Sequence, residues 1–328
     1  MTQARPYPLD SRQSDAEGIG TYKPPAFLFN AHFETIYPSL FRKVKTVAYE
    51  RERIVTPDGD FLDLDWMRQK SNRLIIISHG LEGNTSRAYV RGMARAGYDK
   101  GLDILAWNFR GCGGEVNQRL RFYHSGATDD LTTVIDHAKK DYDEIFLIGF
   151  SLGGNLTLKF LGEHQGLELI SKAAVFSVPL DLHNSCIKIS TPSNWIYQRR
   201  FLKSLTKKII QKAKFFNELD ITNIDKLKTL MDFDDRYTAP LHGFKSAIDY
   251  YQQCSSLYFL NNITTPTLIV NALNDPFLSA TCYPIRELEQ HPAITFETPR
   301  YGGHVGFSQF NKNGLYWSEE RMQQFFNL

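Results

Sequence analysis

Short, nearly all-apolar runs recur through the chain and alternate with longer segments of helical periodicity. The apolar runs lie at 74–77, 104–107, 145–148, 173–178 and 267–270. Helical periodicity falls between them, at 87–96, 129–139 and 155–163. Strands without a polar face are covered on both sides, as in a parallel sheet. This alternation therefore predicts a doubly wound α/β fold with a mostly parallel sheet.

The N-terminal part of the chain has a different pattern. Segments 47–55 and 60–67 flank a Pro-Asp-Gly turn signal at 57–59. In the second segment apolar and acidic residues alternate: Leu62, Asp63, Leu64, Asp65 and Trp66. A period of two is typical of a half-buried strand. We therefore expect an antiparallel hairpin ahead of the parallel sheet, with the two aspartates facing solvent.

The strand–helix alternation is interrupted between residues 181 and 260. This stretch is long, charged and helical in pattern, with a strand-like run only at 257–259. It predicts a helical cap over the carboxyl ends of the strands, where open α/β sheets bind ligands. We expect three parts: an N-terminal arm at 1–23, an α/β domain at 24–328 and, inserted in it, a cap at about 181–260.

One segment of the predicted cap, 194–216, has a basic amphipathic pattern. Apolar residues fall near one face: Leu202, Leu205, Ile209, Ala213 and Phe216. The opposing set is basic: Arg199, Arg200, Lys203, Lys207, Lys208 and Lys212. Such a helix is either a lid with a solvated outer face, which we favour, or a segment that lies on an anionic membrane. We expect five aromatic residues to line or close a pocket: Trp195, Tyr197, Phe201, Phe215 and Phe216.

Composition narrows the function classes. The 328 residues carry a formal net charge of +2, which does not indicate nucleic-acid binding. No apolar run approaches the roughly 18 residues of a membrane span, and none near the N-terminus suggests a signal peptide. The four cysteines are scattered and form no C-x-x-C pair, so we expect neither a disulfide framework nor a zinc site. These features predict a cytoplasmic protein without metal or cofactor.

The most specific chemical motif is G-F-S-L-G at 149–153. It follows the apolar run at 145–148 and precedes the helical pattern at 155–163, which is the context of a nucleophile elbow. The residues two before and two after the serine crowd each other in such a turn, so both are glycine. The motif predicts that Ser151 is a catalytic nucleophile.

A nucleophilic serine needs a histidine base and an acid that orients the base. Asp275 follows the apolar run at 267–270, and His304 lies in a Gly-Gly-His-Val-Gly loop after a candidate strand at 294–297. The order serine, acid, histidine is typical of this fold. Asp181 is the alternative acid. Such a site points to acyl transfer from an ester, thioester or amide.

The oxyanion of a tetrahedral intermediate needs two hydrogen-bond donors. We predict the backbone N–H of Leu152, directly after the nucleophile, and that of Leu81, in the loop 78–83 after an earlier strand. His79 in the same loop is interpreted as structural.

Two further features leave alternatives open. His124 and Asp129 match the H-x4-D pattern of some acyltransferases, but Thr128 and Asp129 are equally good helix caps. Cys112 lies in a glycine-rich loop at a strand end and is interpreted as a small residue without a chemical role.

With these residues in place, the chain resembles the α/β-hydrolases and, within them, the YheT-like hydrolase family. Four blocks carry the resemblance: NAHFETIYP at 30–38, NFRGCGGE at 108–115, RFYHSG at 121–126 and FDDRYTAPLHGF at 233–244. The similarity covers roughly residues 24–326.

The resemblance implies a cofactor-independent serine carboxylesterase with Ser151, His304 and Asp275 as its triad. The expected partner is a small-molecule ester, which is lipid-like in one interpretation. We expect no nucleic-acid partner. The segment 194–216 is the one place where we consider contact with a membrane. The alternatives are an acyltransferase that uses the same acyl-enzyme and a non-catalytic binding protein of the same fold.

Overall fold

An eight-stranded sheet forms the centre of the protein. The computed structural model describes residues 22–328. The strands are β1 (Glu50–Val55), β2 (Phe61–Met67), β3 (Arg73–Ser78), β4 (Asp103–Asn108), β5 (Glu144–Phe150), β6 (Ile170–Phe176), β7 (Thr267–Val270) and β8 (Ile294–Glu297). Their order across the sheet is β1-β2-β4-β3-β5-β6-β7-β8. Strands β3 to β8 pair in parallel, whereas β1–β2 and β2–β4 are antiparallel. The predicted mostly parallel sheet with an N-terminal hairpin is confirmed.

Helices cover both faces of this sheet. They are α1 (Ala31–Phe41), α2 (Ala88–Tyr98), α3 (Thr128–Ala138), α4 (Leu152–Glu163), α5 (Leu182–Ile189), α6 (Trp195–Lys212), α7 (Leu230–Phe233), α8 (Ala239–Leu241), α9 (Ala247–Cys254), α10 (Ile285–Leu288) and α11 (Trp317–Phe326). Successive residues of β3 belong to two different apolar clusters: Ile75 lies in the cluster with residues of α2 and α11, and Ile76 lies in the cluster with residues of α3 and α4. Both faces of the strand are therefore buried, which explains its nearly all-apolar sequence.

The expectation of a half-buried β2 is wrong. Every residue of this strand is buried, including Asp63 and Asp65. Arginines of the neighbouring β1 cover the two carboxylates: Arg53 Nε donates to Asp63 Oδ1 and Arg51 Nε donates to Asp65 Oδ1, each at 2.7 Å. A buried charge is tolerated when it is paired and hydrogen-bonded. The alternation of apolar and acidic residues along β2 therefore results from ion pairing with β1 and not from exposure of one face to solvent.

The helices α5 to α9 lie between β6 and β7 in the chain, which agrees with the predicted helical insertion. The strand-like run at 257–259 is not a strand, because residues Ser256–Tyr258 form a 3₁₀ turn. The arm predicted at 1–23 falls almost entirely outside the described residues. Within residues 22–328, none of the helices is both long and apolar enough to cross a membrane.

The amphipathic character of α6 is confirmed for its apolar face, where Leu202, Leu205 and Ile209 are buried. Two of its lysines do not lie on a solvated outer face as expected. Lys208 Nζ is 2.7 Å from Glu82 Oε1, and Lys212 Nζ donates to Asn117 Oδ1 at 2.9 Å. Burial lowers the pKa of Lys212 to about 8. Both lysines therefore attach the helix to the body of the protein.

Candidate active site

Ser151 stands at the turn between β5 and α4, as the pentapeptide predicts. Its backbone φ is +52°, in a region that costs energy for a residue with a side chain. A Cβ on Gly149 would lie 2.5 Å from the carbonyl oxygen of Gly153, and one on Gly153 would collide with the carbonyl of His79. Both positions therefore require glycine, and the turn projects the serine hydroxyl from the end of the sheet.

The structure brings Ser151, His304 and Asp275 into one hydrogen-bonded row. Ser151 Oγ is 2.9 Å from His304 Nε2, and His304 Nδ1 is 2.8 Å from Asp275 Oδ2. The Asp275 side chain is fully buried and that of His304 is 11% exposed. A carboxylate only accepts hydrogen bonds, so the neutral imidazole carries its proton on Nδ1 and turns Nε2 toward the serine hydroxyl. Asp181, the alternative acid, instead caps α5 through the N–H of Asn184 at 3.0 Å.

The loop that carries His304 is anchored through four successive backbone N–H groups. Each donates to a side chain: Gly302 to Glu34, Gly303 to Asn274, His304 to Thr35 and Val305 to Ser177. Three of these distances are 3.0, 2.9 and 2.8 Å in chain order from Gly303. The loop contains three residues with φ of +147°, +55° and +56°, at 302, 303 and 305. Side chains from distant parts of the chain therefore fix the position of the imidazole.

The sequence analysis did not identify these anchoring residues. Glu34 is 1% exposed, and burial raises the pKa of its carboxyl group. Its second oxygen accepts from Asn274 Nδ2 at 2.9 Å, so Glu34 joins the His304 loop to the residue before Asp275. The sequence did contain one signal that could have pointed to them: Glu34 and Thr35 lie within the block 30–38 that carries the family resemblance.

The two predicted oxyanion donors lie beside the serine. Leu152 is the first residue of α4, where a backbone N–H has no partner within the helix. In the loop 80–83, the N–H groups of Gly80 and Glu82 donate to Tyr89 and Tyr123, whereas no hydrogen bond among the described residues uses the N–H of Leu81. A Cβ on Gly80 would lie 3.2 Å from Ser151 Cβ, so this loop passes close to Ser151. Both amides remain available to a ligand.

Glu82 holds this loop against the cap. Its φ is +52°, and its carboxylate accepts hydrogen bonds from Tyr123 Oη at 2.7 Å, from Lys208 Nζ at 2.7 Å and from Ser204 Oγ. Lys208 also lies 3.0 Å from Cys112 Sγ. Burial raises the pKa of the Cys112 thiol to about 11, so the thiol is protonated and unreactive at neutral pH, in line with its interpretation as a small residue.

Two cavities meet at the serine. The inner pocket, of about 120 Å³, extends under the cap, and its lining includes Phe122, Leu182, Ile189, Leu205 and Phe233. The outer pocket, of about 220 Å³, lies between α1, the loop 80–83 and α6. Among the described residues, five line both pockets: Leu81, Ser151, Phe201, Phe277 and His304. An ester whose carbonyl lies at Ser151 could therefore place its two halves in different surroundings.

Only part of the predicted aromatic lining is present. Phe201 lines both pockets and Tyr197 lines the outer one. Trp195 and Phe215 point outward, with 55% and 73% of their surface exposed, and Phe216 packs against the core. The expectation for these three residues is wrong, because the helix and its C-terminal extension present them away from the cavities.

The remaining predicted residues have structural surroundings. His79 is fully buried, with Nδ1 2.8 Å from the Gly80 carbonyl, and burial lowers its pKa to about 3. His124 lines the inner pocket, whereas Asp129 pairs with Arg121 at 2.8 Å. The predicted helix caps are wrong, because α3 begins after Ala127 without a side-chain cap. No group of His, Cys, Asp and Glu within residues 22–328 is arranged to hold a metal ion.

Comparisons with known proteins agree with this architecture. The family model described as serine aminopeptidase S33, a hydrolase family, matches residues 69–283. That range includes Ser151 and Asp275 and ends before His304. Esterase YheT of Escherichia coli is 34% identical over 289 residues, covering 85% of this chain and 84% of YheT. Human phospholipase ABHD3 is 28% identical over 300 residues, covering 88% of this chain and 73% of ABHD3.

Solved structures support the fold. An esterase of Pyrococcus furiosus, Pf2001, superposes with a TM-score of 0.56 at 16% identity, covering 87% of this chain and 95% of that one. The serine turn, the sheet order and the match to YheT across most of both chains agree with one another. The chain belongs to the α/β-hydrolase superfamily and, within it, to the YheT-like family.

Proposed function

We propose that the protein hydrolyses carboxylic esters through an acyl-enzyme on Ser151. His304 Nε2 takes the hydroxyl proton as Ser151 Oγ attacks the ester carbonyl carbon. The backbone N–H groups of Leu152 and Leu81 stabilise the oxyanion of the tetrahedral intermediate. His304 then gives the proton to the leaving alcohol. Water attacks the acyl-enzyme by the same route, and the carboxylic acid is released.

One observation carries this proposal: the row Ser151, His304 and Asp275, with 2.9 and 2.8 Å contacts, lies where two pockets meet. The neutral imidazole is oriented to accept a proton, and Asp275 stabilises the imidazolium that forms. At the level of enzyme class, the predicted ester hydrolase is confirmed, because relatives are named esterase and phospholipase.

The contacts of the two residues that suggested the acyltransferase alternative do not favour it. It rested on His124 and Asp129, but Asp129 pairs with Arg121 while His124 contacts His242 in the wall of the inner pocket. Added glycerol or another alcohol should therefore divert little product from the free acid. If a transferred ester dominates over free acid in water, the hydrolase assignment is wrong.

The direct test combines a fluorophosphonate probe with p-nitrophenyl esters of increasing chain length. We expect the probe to label Ser151 and the Ser151→Ala variant to lose labelling. The kcat of Ser151→Ala should fall by about 10⁴–10⁶, because Ser151, His304 and Asp275 act as a unit. A variant that still takes the probe at one site, or retains wild-type esterase activity, contradicts the proposal.

A matched pair of variants tests the acid. Asp275→Asn should lower kcat by about 10⁴, because an amide in place of the carboxylate favours the wrong imidazole tautomer. Asp181→Asn serves as control and should change kcat little, since Asp181 caps a helix. If Asp181→Asn lowers kcat more than Asp275→Asn does, Asp181 and not Asp275 orients His304.

We also propose that residues 24–328 form one hydrolase domain in which 181–260 acts as the cap. Helices α5 to α9 and their contacts with the serine-side loops support this division. The four cysteines are free thiols, which supports a reducing, cytoplasmic location.

A further inference from the structure

The outer pocket carries an excess of positive charge. Among the described residues, four side chains of Arg or Glu line it: Arg42, Glu82, Arg87 and Arg200. Arg42 pairs with Glu319 at 2.6 Å, and Glu82 pairs with Lys208 at 2.7 Å. Neither Arg87 nor Arg200 has a carboxylate partner within residues 22–328.

Both of these arginines lie beside the predicted oxyanion loop. Arg87 Nη2 donates to the Glu82 carbonyl at 3.1 Å, which uses one of the five N–H groups of its guanidinium. Arg200 precedes Ser204 by one helical turn, so the two side chains share a face of α6, and Ser204 donates to the Glu82 carboxylate. The outer pocket thus has, within the described part of the chain, two guanidinium groups without a carboxylate partner in the same lining as the loop 80–83.

Glu82 does not neutralise these arginines. Its carboxylate already accepts from Tyr123, Ser204 and Lys208, and the charge of Lys208 balances it. The inner pocket offers a contrasting environment. Among the described residues that line it, Asp234 supplies the one carboxyl group, which is half-buried, and burial raises its pKa to about 6. The two halves of a bound ester therefore meet an apolar cavity on one side of Ser151 and a cationic one on the other.

We propose that the outer pocket binds the alcohol part of the ester and that this alcohol carries an anionic oxyanion group, a phosphate or a carboxylate, held by Arg87 and Arg200. The acyl chain then occupies the inner pocket. The inference rests on the proposed hydrolysis at Ser151 and names its substrate class. A guanidinium matches a planar or tetrahedral oxyanion with two parallel hydrogen bonds. Hydrolysis yields a carboxylic acid and an anionic alcohol, and the anionic group itself does not react.

The test compares three esters with the same octanoyl chain. The alcohol is glycerol 3-phosphate, 3-hydroxypropanoate or uncharged glycerol. We expect kcat/KM for at least one anionic ester to exceed that of the uncharged ester by about tenfold or more, because hydrogen bonds to charged groups are the stronger class. The ranking of the two anionic esters shows whether phosphate or carboxylate is the preferred group. The preference should shrink as NaCl is raised.

Variants locate the effect. Arg200→Gln should lower kcat/KM for the preferred anionic ester and leave the uncharged ester nearly unchanged. Arg199→Gln is the matched control, because it removes the same charge from an exposed position of the same helix, at a residue outside the pocket lining. Arg87→Gln should act like Arg200→Gln, and the rate on the uncharged ester reports any disturbance of the loop 80–83.

The outcomes separate the two proposals. If the uncharged ester is hydrolysed as well as both anionic ones, or if Arg199→Gln reduces the preference as much as Arg200→Gln, the anionic subsite is wrong. With either of these results, labelling of Ser151 by the fluorophosphonate probe would show that the serine is still reactive, so the proposed hydrolysis would stand. If the probe does not label and none of the esters is cleaved, both proposals fail.

Discussion

Single side chains far apart in the sequence hold the loop of His304, the proposed base. Thr35 Oγ1 accepts the backbone N–H of His304 at 2.9 Å and donates to the Ala31 carbonyl at 2.7 Å. Glu34, the adjacent residue, holds Gly302 of the same loop. Catalytic geometry must be accurate to about half an ångström, so anchors of this kind bear directly on rate.

We predict that Thr35→Val lowers kcat about tenfold with little change in KM, because a misplaced base raises the barrier for proton transfer. Stability should fall by about 1 kcal/mol, the contribution of one hydrogen bond. Steady-state kinetics on p-nitrophenyl esters and urea unfolding measure the two effects. Thr133→Val is the control, since Thr133 makes the same bond to the preceding turn in α3, at 3.0 Å, away from the site. Equal kcat values for the two variants would contradict a role of Thr35 in positioning His304.

Among the elements, α6 connects the cap to the site. Its buried face packs on the core, and its residues Ser204 and Lys208 reach Glu82 in the loop that offers the Leu81 amide. A shift of this helix would therefore be transmitted to a predicted oxyanion donor.

Neighbouring lysines on α6 provide a test. Lys208→Met leaves the Glu82 carboxylate, 5% exposed, without its cation, and we expect a loss of about 2 kcal/mol together with a lower kcat. Lys207→Met is the matched control, because Lys207 is exposed and its removal should change neither quantity. Urea unfolding and kinetics on one ester measure both. If the two variants behave alike, Lys208 does not tie the cap to the loop.

Titratable side chains lie at the contact between the cap and the core. His242, after α8, contacts His124 with ring centres 4.5 Å apart. Burial lowers the pKa of both imidazoles, and it lowers the pKa of His79 as well. Below about pH 6.5 the unfolded chain binds more protons at these residues than the folded one. Their stabilising contribution is complete above about pH 6.5 and is lost as the pH falls. Asp234, with its pKa raised to about 6, acts in the opposite direction between about pH 4 and 6.

Burial also raises the pKa of Glu34, Asp130 and Glu319, so these carboxyl groups act in the same direction as Asp234. Each titrating group contributes a slope of at most about 1.4 kcal/mol per pH unit. We predict that His124→Asn removes a loss of stability on acidification, so that its free energy of unfolding at pH 5, relative to pH 7, is higher than that of the wild type. Asparagine keeps an acceptor for the Gly126 N–H, which donates to His124 Nδ1 at 3.2 Å. Urea unfolding at several pH values measures the slope. The same dependence on pH for His124→Asn and the wild type would contradict the lowered pKa of His124.

At the level of the whole molecule, sheet, cap and N-terminal helix together form the two pockets that meet at Ser151. The acyl chain is assigned to the inner pocket, where each buried methylene contributes about 0.8 kcal/mol, near a fourfold gain in kcat/KM. The gain should continue with chain length until the cavity is full. We therefore expect the size of the inner pocket, rather than the serine, to set the chain-length preference.

We predict that Phe201→Ala moves the preference toward longer acyl chains, because Phe201 lines both pockets and contacts Phe277 at their junction. Trp195→Ala, on the same helix, should leave the profile unchanged, since Trp195 is 55% exposed. Kinetics on p-nitrophenyl esters from acetate to laurate give the profile, and probe labelling checks that Ser151 stays reactive. An unchanged profile for Phe201→Ala would place chain-length selection elsewhere.

The grouping of Ser151, Asp275 and His304 could be predicted because each follows a strand of a parallel sheet. The carboxyl ends of such strands meet at one edge, so chain order alone brings the three residues together. The glycines at 149 and 153 and the apolar strands were likewise predictable, because they report local backbone geometry and burial on both faces. Each of these signals is carried by a short stretch of sequence.

Packing decided the features that depend on distant residues. Asp63 and Asp65 are buried because arginines of the next strand cover them, although their alternation is typical of exposure. Lys207 and Lys208 are adjacent, but Lys208 alone faces Glu82, 126 residues earlier. Thr35 reaches His304 across 269 residues. A periodic pattern reports which face of an element is buried, but the partner that meets that face depends on how the elements pack.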